Sequence, residues 1–258
     1  MFDLHNDLIT GGASFSQAQE IINDDAAQGI TALYAVWGTR LSYREFIDKC
    51  VFLERNCRFY SIEDASVARE NFTALPLNNL KCCSLTWNYD NVFAGGANGS
   101  GGLTALGEDF VRFLNANDVA VDLSHLNERS FYDVIGIAKK PLATHSGIFA
   151  LKPHARNLKD EQIEAIINKN GIVGLAPVPD FVPGGNKAGF FGSLSYFMDK
   201  FGCDNLAIGT DFFGSDGIDG LKNYRTLTDE IKAFLTVGYG KKCAKKVLYG
   251  NAEKFFGI

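Results

Sequence analysis

Residues 103–145 read LTALGEDFVRFLNANDVAVDLSHLNERSFYDVIGIAKKPLATH. Leu106, Phe110, Val111 and Leu114 recur three and four apart, which lines one face of a helix over 103–117. Residues 119–123 are then apolar apart from Asp122, the pattern of a strand covered on both faces. Asn127 can accept from the free amides of a new first turn and so cap a helix over 127–139. Residues 142–144 return to a short strand. Helix, strand, helix, strand in so short a stretch is the repeat of a parallel sheet flanked by helices.

The same alternation extends outward in both directions. Apolar runs predict strands at 2–5, 30–36, 58–62, 80–85, 172–176 and 206–209, and amphipathic stretches predict helices at 14–28, 42–55, 159–170, 191–201, 228–237 and 241–255. About eight such units point to a closed (β/α)8 TIM barrel of the α/β class rather than an open sheet. The 258 residues suit one large domain spanning 1–258, since a chain of this size can bury a substantial core. No Gly-x-Gly-x-x-Gly follows the first strand and no Gly-Lys-Ser/Thr loop occurs, which excludes the two commonest phosphate-cradling motifs.

Composition narrows the function classes. At 46% hydrophobic and 21% charged, the chain is neither disordered nor fibrous. A net charge of −5 argues against nucleic acid, which needs a basic surface. No apolar run approaches the ~20 residues of a membrane-spanning helix, and MFDLHNDLITGG lacks the positive charge that opens a secretory signal. The six cysteines include no Cys-x-x-Cys. Cys82 and Cys83 are strand neighbours that face opposite ways, so they cannot share a metal. Reduced, mostly buried thiols and a cytoplasmic location are therefore expected.

The chemistry concentrates at strand ends. Of four histidines, His5, His125 and His145 each follow a predicted strand, and only His154 does not. In a (β/α)8 barrel that end builds the active site. Asp7 stands two residues after His5, on the same side of an extended chain. Glu63 closes RFYSIE and Asp211 closes LAIGTD. Imidazoles and carboxylates together suit zinc or a similar divalent ion. Six such residues exceed the needs of one ion, whereas a carboxylate shared by two ions would use them all.

These residues lie in segments that carry a resemblance. FDLHND, YSIED, SLTWNYDN, GLTALGEDFVRFLNANDVAVDLSHLNERSF, THSGIFALKPHARNL and IGTDFFG are similar, in order, to the membrane (renal) dipeptidase family of zinc-dependent peptidases. The resemblance implies two zinc ions per chain: His5 and Asp7 on the first, His125 and His145 on the second, and Glu63 bridging them. It implies that Arg156 binds the substrate's carboxylate, that Trp87 and Asn88 contact substrate, and that Asp211 stands beside a bridging hydroxide as the catalytic residue. The expected substrate is a dipeptide or similar small amide, with no nucleic-acid or membrane partner and a homodimer left open. Departures occur at Asp64-Ala65, where relatives commonly have Gly-Gly, at Trp87-Asn88 in place of a histidine, and at Phe213 in place of a second aspartate. Two other readings stay open: another binuclear hydrolase acting on a cyclic amide, lactone or phosphoester, and a silent binding protein with part of the site.

Overall fold

The computed structural model describes residues 1–258. Eight parallel strands follow one another in chain order around a closed barrel, the fold that the alternation predicts. They are β1 (Phe2–Asn6), β2 (Thr31–Trp37), β3 (Tyr60–Glu63), β4 (Leu80–Ser84), β5 (Ala120–Asp122), β6 (Pro141–Ser146), β7 (Ile172–Leu175) and β8 (Leu206–Ile208). The helices are α1 (Phe15–Ala27), α2 (Tyr43–Asn56), α3 (Ala105–Ala116), α4 (Glu128–Ile137), α5 (Asp160–Asn168), α6 (Lys187–Phe201), α7 (Tyr224–Lys245) and α8 (Asn251–Phe256).

Three places refine the expected pattern. The connection from β3 to β4 has only 3-10 turns at Ala65–Ala68 and Phe72–Ala74. Helix α6 starts a turn earlier than its apolar residues suggest. Asn186 caps it by accepting from Gly189 N at 3.1 Å, and Gly189 is required there because a Cβ would sit 1.9 Å from Pro183 O. The C-terminal break expected near 238–240 is present as a non-helical Gly240 (φ 86°, ψ 158°) inside α7. A π-helical turn, Lys246–Gly250, then leads into α8.

By contact density the chain forms two compact units. In the unit of residues 7–24 and 33–142, β2 pairs with β3 through Trp37↔Glu63, and β4 pairs with β5 through Ser84↔Asp122. Its core is aromatic: Phe93 stacks on Phe110 at 4.7 Å and Phe72 meets Phe110 at 5.3 Å. Burying Phe93 and Phe110, both fully enclosed, contributes about 1.5–3 kcal/mol each. Gly107 lets α3 press on the loop backbone at Phe93, where a Cβ would lie 2.1 Å from the carbonyl.

The other unit comprises residues 1–6, 25–32 and 143–258. Here β1 meets β8 at Asp3↔Ile208, β7 pairs with β8 over three residues, and Phe2 stacks on Phe256 at 5.8 Å. Gly174 and Gly209 press against the Thr144 carbonyl, from which a Cβ would be only 2.0 and 1.9 Å. No helix of the chain is long and apolar enough to cross a membrane.

Candidate metal centre

Two side chains of β1 face the same way because strand residues alternate, and they are Asp3 and His5. Asp3 is fully buried. Its carboxylate accepts from Thr210 N and Thr210 Oγ1, both at 2.7 Å, from Tyr224 OH at 2.6 Å, and from His5 N at 3.2 Å. Burial pushes this carboxyl above its ordinary pKa, and the bonds from Tyr224 and Thr210 pull the other way. Asn6 Nδ2 donates to the same Tyr224 hydroxyl at 2.8 Å. Asp211, next to Thr210, donates its N–H to His5 O at 3.1 Å.

That lattice sets three of the candidate site residues together. The His5 and His145 rings stack with centroids 3.8 Å apart, and His5 Nε2 lies 3.9 Å from Asp211 Oδ1. Ligand atoms of His5, His145 and Asp211 all fall within 4.8 Å of one another. Thr144 Oγ1 meets His145 Nδ1 at 2.8 Å, a partner of the kind that fixes ring orientation and frees Nε2 for a metal. Asp211 lies three residues beyond β8, in a left-handed turn (φ 57°), rather than at the strand's last position. Arg156 is buried, not solvated: its Nη2 donates to His145 O at 3.1 Å and its guanidinium lies 5.3 Å from the Phe181 ring centre. His154 accepts from Arg156 N at 3.2 Å, and burial, then Arg156, lowers its pKa.

The second unit holds the remaining candidates. Glu63 ends β3 and is buried, as are Asp7 and His125. His125 Nε2 lies 2.6 Å from Glu63 Oε1, and its Nδ1 lies 2.8 Å from Asn88 Oδ1. An amide oxygen there accepts from Nδ1–H, which leaves Nε2 as the nitrogen able to ligate a metal. Asp7 Oδ1 accepts from Thr10 Oγ1 at 2.9 Å. The half-buried Trp87 ring stands 6.3 Å from His125, 5.0 Å from Trp37 and 6.1 Å from the exposed Tyr89.

Sequence reasoning missed several supports. Asn88, expected to touch substrate, is placed on His125. Asp3 was visible only as the first member of Asp-x-His-x-Asp, and nothing local announces Thr210 or Tyr224 as its partners. Trp37 carried a weak signal, an aromatic ending an apolar strand.

A family model described as membrane dipeptidase (peptidase family M19) matches residues 62–257. The chain belongs to that family. A protein of Klebsiella pneumoniae encoded in the pqqA 5′ region is 34% identical over 181 residues, covering 64% of this chain and 67% of that protein. For four further curated relatives, the match spans only 37–40% of their length. The solved structure of dipeptidase AC, a metallo peptidase of family M19, superposes with a TM-score of 0.84 at 21% identity over 100% of this chain and 98% of that one. A Rhodobacter sphaeroides metallo peptidase, solved with a phosphinate mimic of the dipeptide L-Ala-D-Ala, gives 0.84 at 20% identity over 99% and 98%.

One departure from the family pattern has a local explanation. Asp64 occupies a left-handed position (φ 55°), the conformation a glycine adopts freely. Its carboxylate accepts from Asn91 Nδ2 at 2.9 Å, from Ser66 N at 3.2 Å and from the Thr39 hydroxyl, so the aspartate is tied into neighbouring loops. Phe213 also has positive φ (67°) and is exposed. Nothing in the structure explains an aromatic there.

Proposed function

We propose that this chain is a zinc-dependent dipeptidase. The observation that carries the reading is the His5–His145–Asp211 cluster in a chain whose family hydrolyses dipeptides. The donor set fits the metal: imidazole nitrogens and carboxylate oxygens are what zinc takes, and Thr144, Asn88 and Thr10 orient His145, His125 and Asp7. His5, Asp7, Glu63, His125 and His145 are the residues that would hold two ions. Such ions supply Lewis acidity and make a water nucleophilic at neutral pH.

The chain's own groups account for the rest. Arg156 offers a planar fork that matches the free carboxylate of a dipeptide, which restricts substrates to short ones. Asp211 Oδ1 accepts the proton of the attacking water and returns it to the leaving amine. Trp87, with Trp37 beside it, forms an apolar wall for a substrate side chain. Asn88 keeps His125 in the ligating tautomer.

A panel of dipeptides set against lactones and phosphodiesters tests the reading, with metal content measured on the same preparation. Dipeptide turnover by protein holding close to two zinc ions is expected. Turnover of a lactone or phosphodiester alone would assign a different hydrolase, and metal-free, inert protein would assign a binding role.

A further inference from the structure

Cys203 and Cys243 are forty positions apart in sequence, yet their Sγ atoms approach to 2.7 Å. A small side-chain rotation would bring them to the ~2.05 Å of a sulfur–sulfur bond. Two glycines create this meeting. Gly202 (φ 77°) ends α6 immediately before Cys203, and Gly240 (φ 86°) breaks α7 just before Cys243. Asn251 Nδ2 pins the Cys203 backbone by donating to Cys203 O at 2.6 Å and to Leu206 O at 2.7 Å. The accessibility of the six thiols divides them sharply. Cys50, Cys57, Cys82 and Cys83 are buried, whereas Cys203 and Cys243 are partly exposed. A soluble reagent can therefore reach this pair and not the others.

We propose that Cys203 and Cys243 form a reversible intramolecular disulfide by exchange with a low-molecular-weight disulfide. One cysteine thiolate attacks the small disulfide, forms a mixed disulfide and expels one small thiolate. The thiolate of the other cysteine then attacks the protein sulfur and expels the second. Two electrons pass from the pair to the reagent, and the two cysteine protons end on the two small thiols released. Burial, with the contact to Cys243, pushes the Cys203 thiol up to about 11, so its attack quickens as pH rises. The bond closes the loop 203–243, which contains β8 and the turn bearing Asp211. It lies before β8, whereas Asp211 lies beyond it, so the bond braces the segment without touching the candidate site.

The test treats the full chain with oxidised glutathione at pH 7 and pH 9, then alkylates remaining thiols and maps peptides by mass. The expected result is a linked Cys203–Cys243 peptide, formed faster at pH 9 and undone by dithiothreitol, with the other four cysteines still free. The oxidised protein should melt roughly 5–15 °C higher than the reduced, with dipeptide turnover or zinc content unaltered. Cys203→Ser should carry at most a glutathione adduct on Cys243 and show no rise. Complete alkylation of both thiols after oxidant, separate adducts on each, or a linked chain that melts no higher would overturn the proposal.

Discussion

Asp211, His125 and Asp64 hold their backbones at φ 57°, 69° and 55°. Left-handed backbone costs an L-residue roughly 1–2 kcal/mol, least for aspartate and asparagine. Asp211→Asn is therefore an informative substitution, because asparagine tolerates the same turn but cannot take up a proton. Turnover should fall about 10²–10⁴-fold, with KM and zinc content little changed, as steady-state kinetics and elemental analysis on one preparation will show. Parallel loss of zinc would make Asp211 a ligand, and full activity would remove it from the chemistry. Asn88→Ala takes the acceptor from His125 Nδ1. Zinc affinity, read by chelator competition, should drop about 10–100-fold, whereas an unchanged affinity with raised KM would return Asn88 to substrate contact. The candidate ligands themselves were legible in the sequence, since strand-end histidines and carboxylates stand out against apolar runs. Their orienting partners were not: Asn88 and His125 are separated by 37 positions, and no period or spacing links them.

Among elements, β1 and α7 are tied across more than two hundred positions of sequence. Tyr224 opens α7, and its hydroxyl both donates to Asp3 and accepts from Asn6. Tyr224→Phe leaves Asn6 Nδ2 without that acceptor and Asp3 with one donor fewer, inside a site that excludes water. A loss of about 1–3 kcal/mol is expected, seen as a lower denaturant midpoint at unchanged slope. Because the same lattice joins His5 to the Asp211 turn, dipeptide turnover should fall as well; a stable, fully active variant would show that Asp3 needs only its remaining donors. Element boundaries were legible where the cap is local. Asn127 accepts from Ser130 N at 2.9 Å, as its place before an apolar periodic run predicts. They were illegible where tertiary contact decides, as at Gly189, whose need to be glycine comes from Pro183. The stretch between β3 and β4 offered no helical period, and Asp64's role there depends on Thr39 and Asn91, neither of them adjacent in sequence.

For the whole molecule, the strand order could be inferred because apolar runs separated by amphipathic ones leave few alternatives, and right-handed crossover connections prune the rest. What such inference omits is the cost of collecting ionisable groups. Asp7, Glu63, His5, His125 and His145 are all buried, and buried charge is costly unless paired or bound to a metal. Zinc bound only by the folded chain stabilises it by RT times the logarithm of one plus the ratio of free zinc to Kd, about 2.7 kcal/mol at one hundred times Kd. For a chain of this size that corresponds to roughly 5–10 °C in Tm. Chelation should therefore lower the melting temperature by that amount while far-UV circular dichroism stays native, because the barrel's backbone bonds need no metal. Added zinc should restore Tm and dipeptide turnover together. A melting temperature indifferent to both chelator and zinc would mean that the candidate ligands are satisfied by one another, as His125 and Glu63 at 2.6 Å would be if the imidazole were protonated.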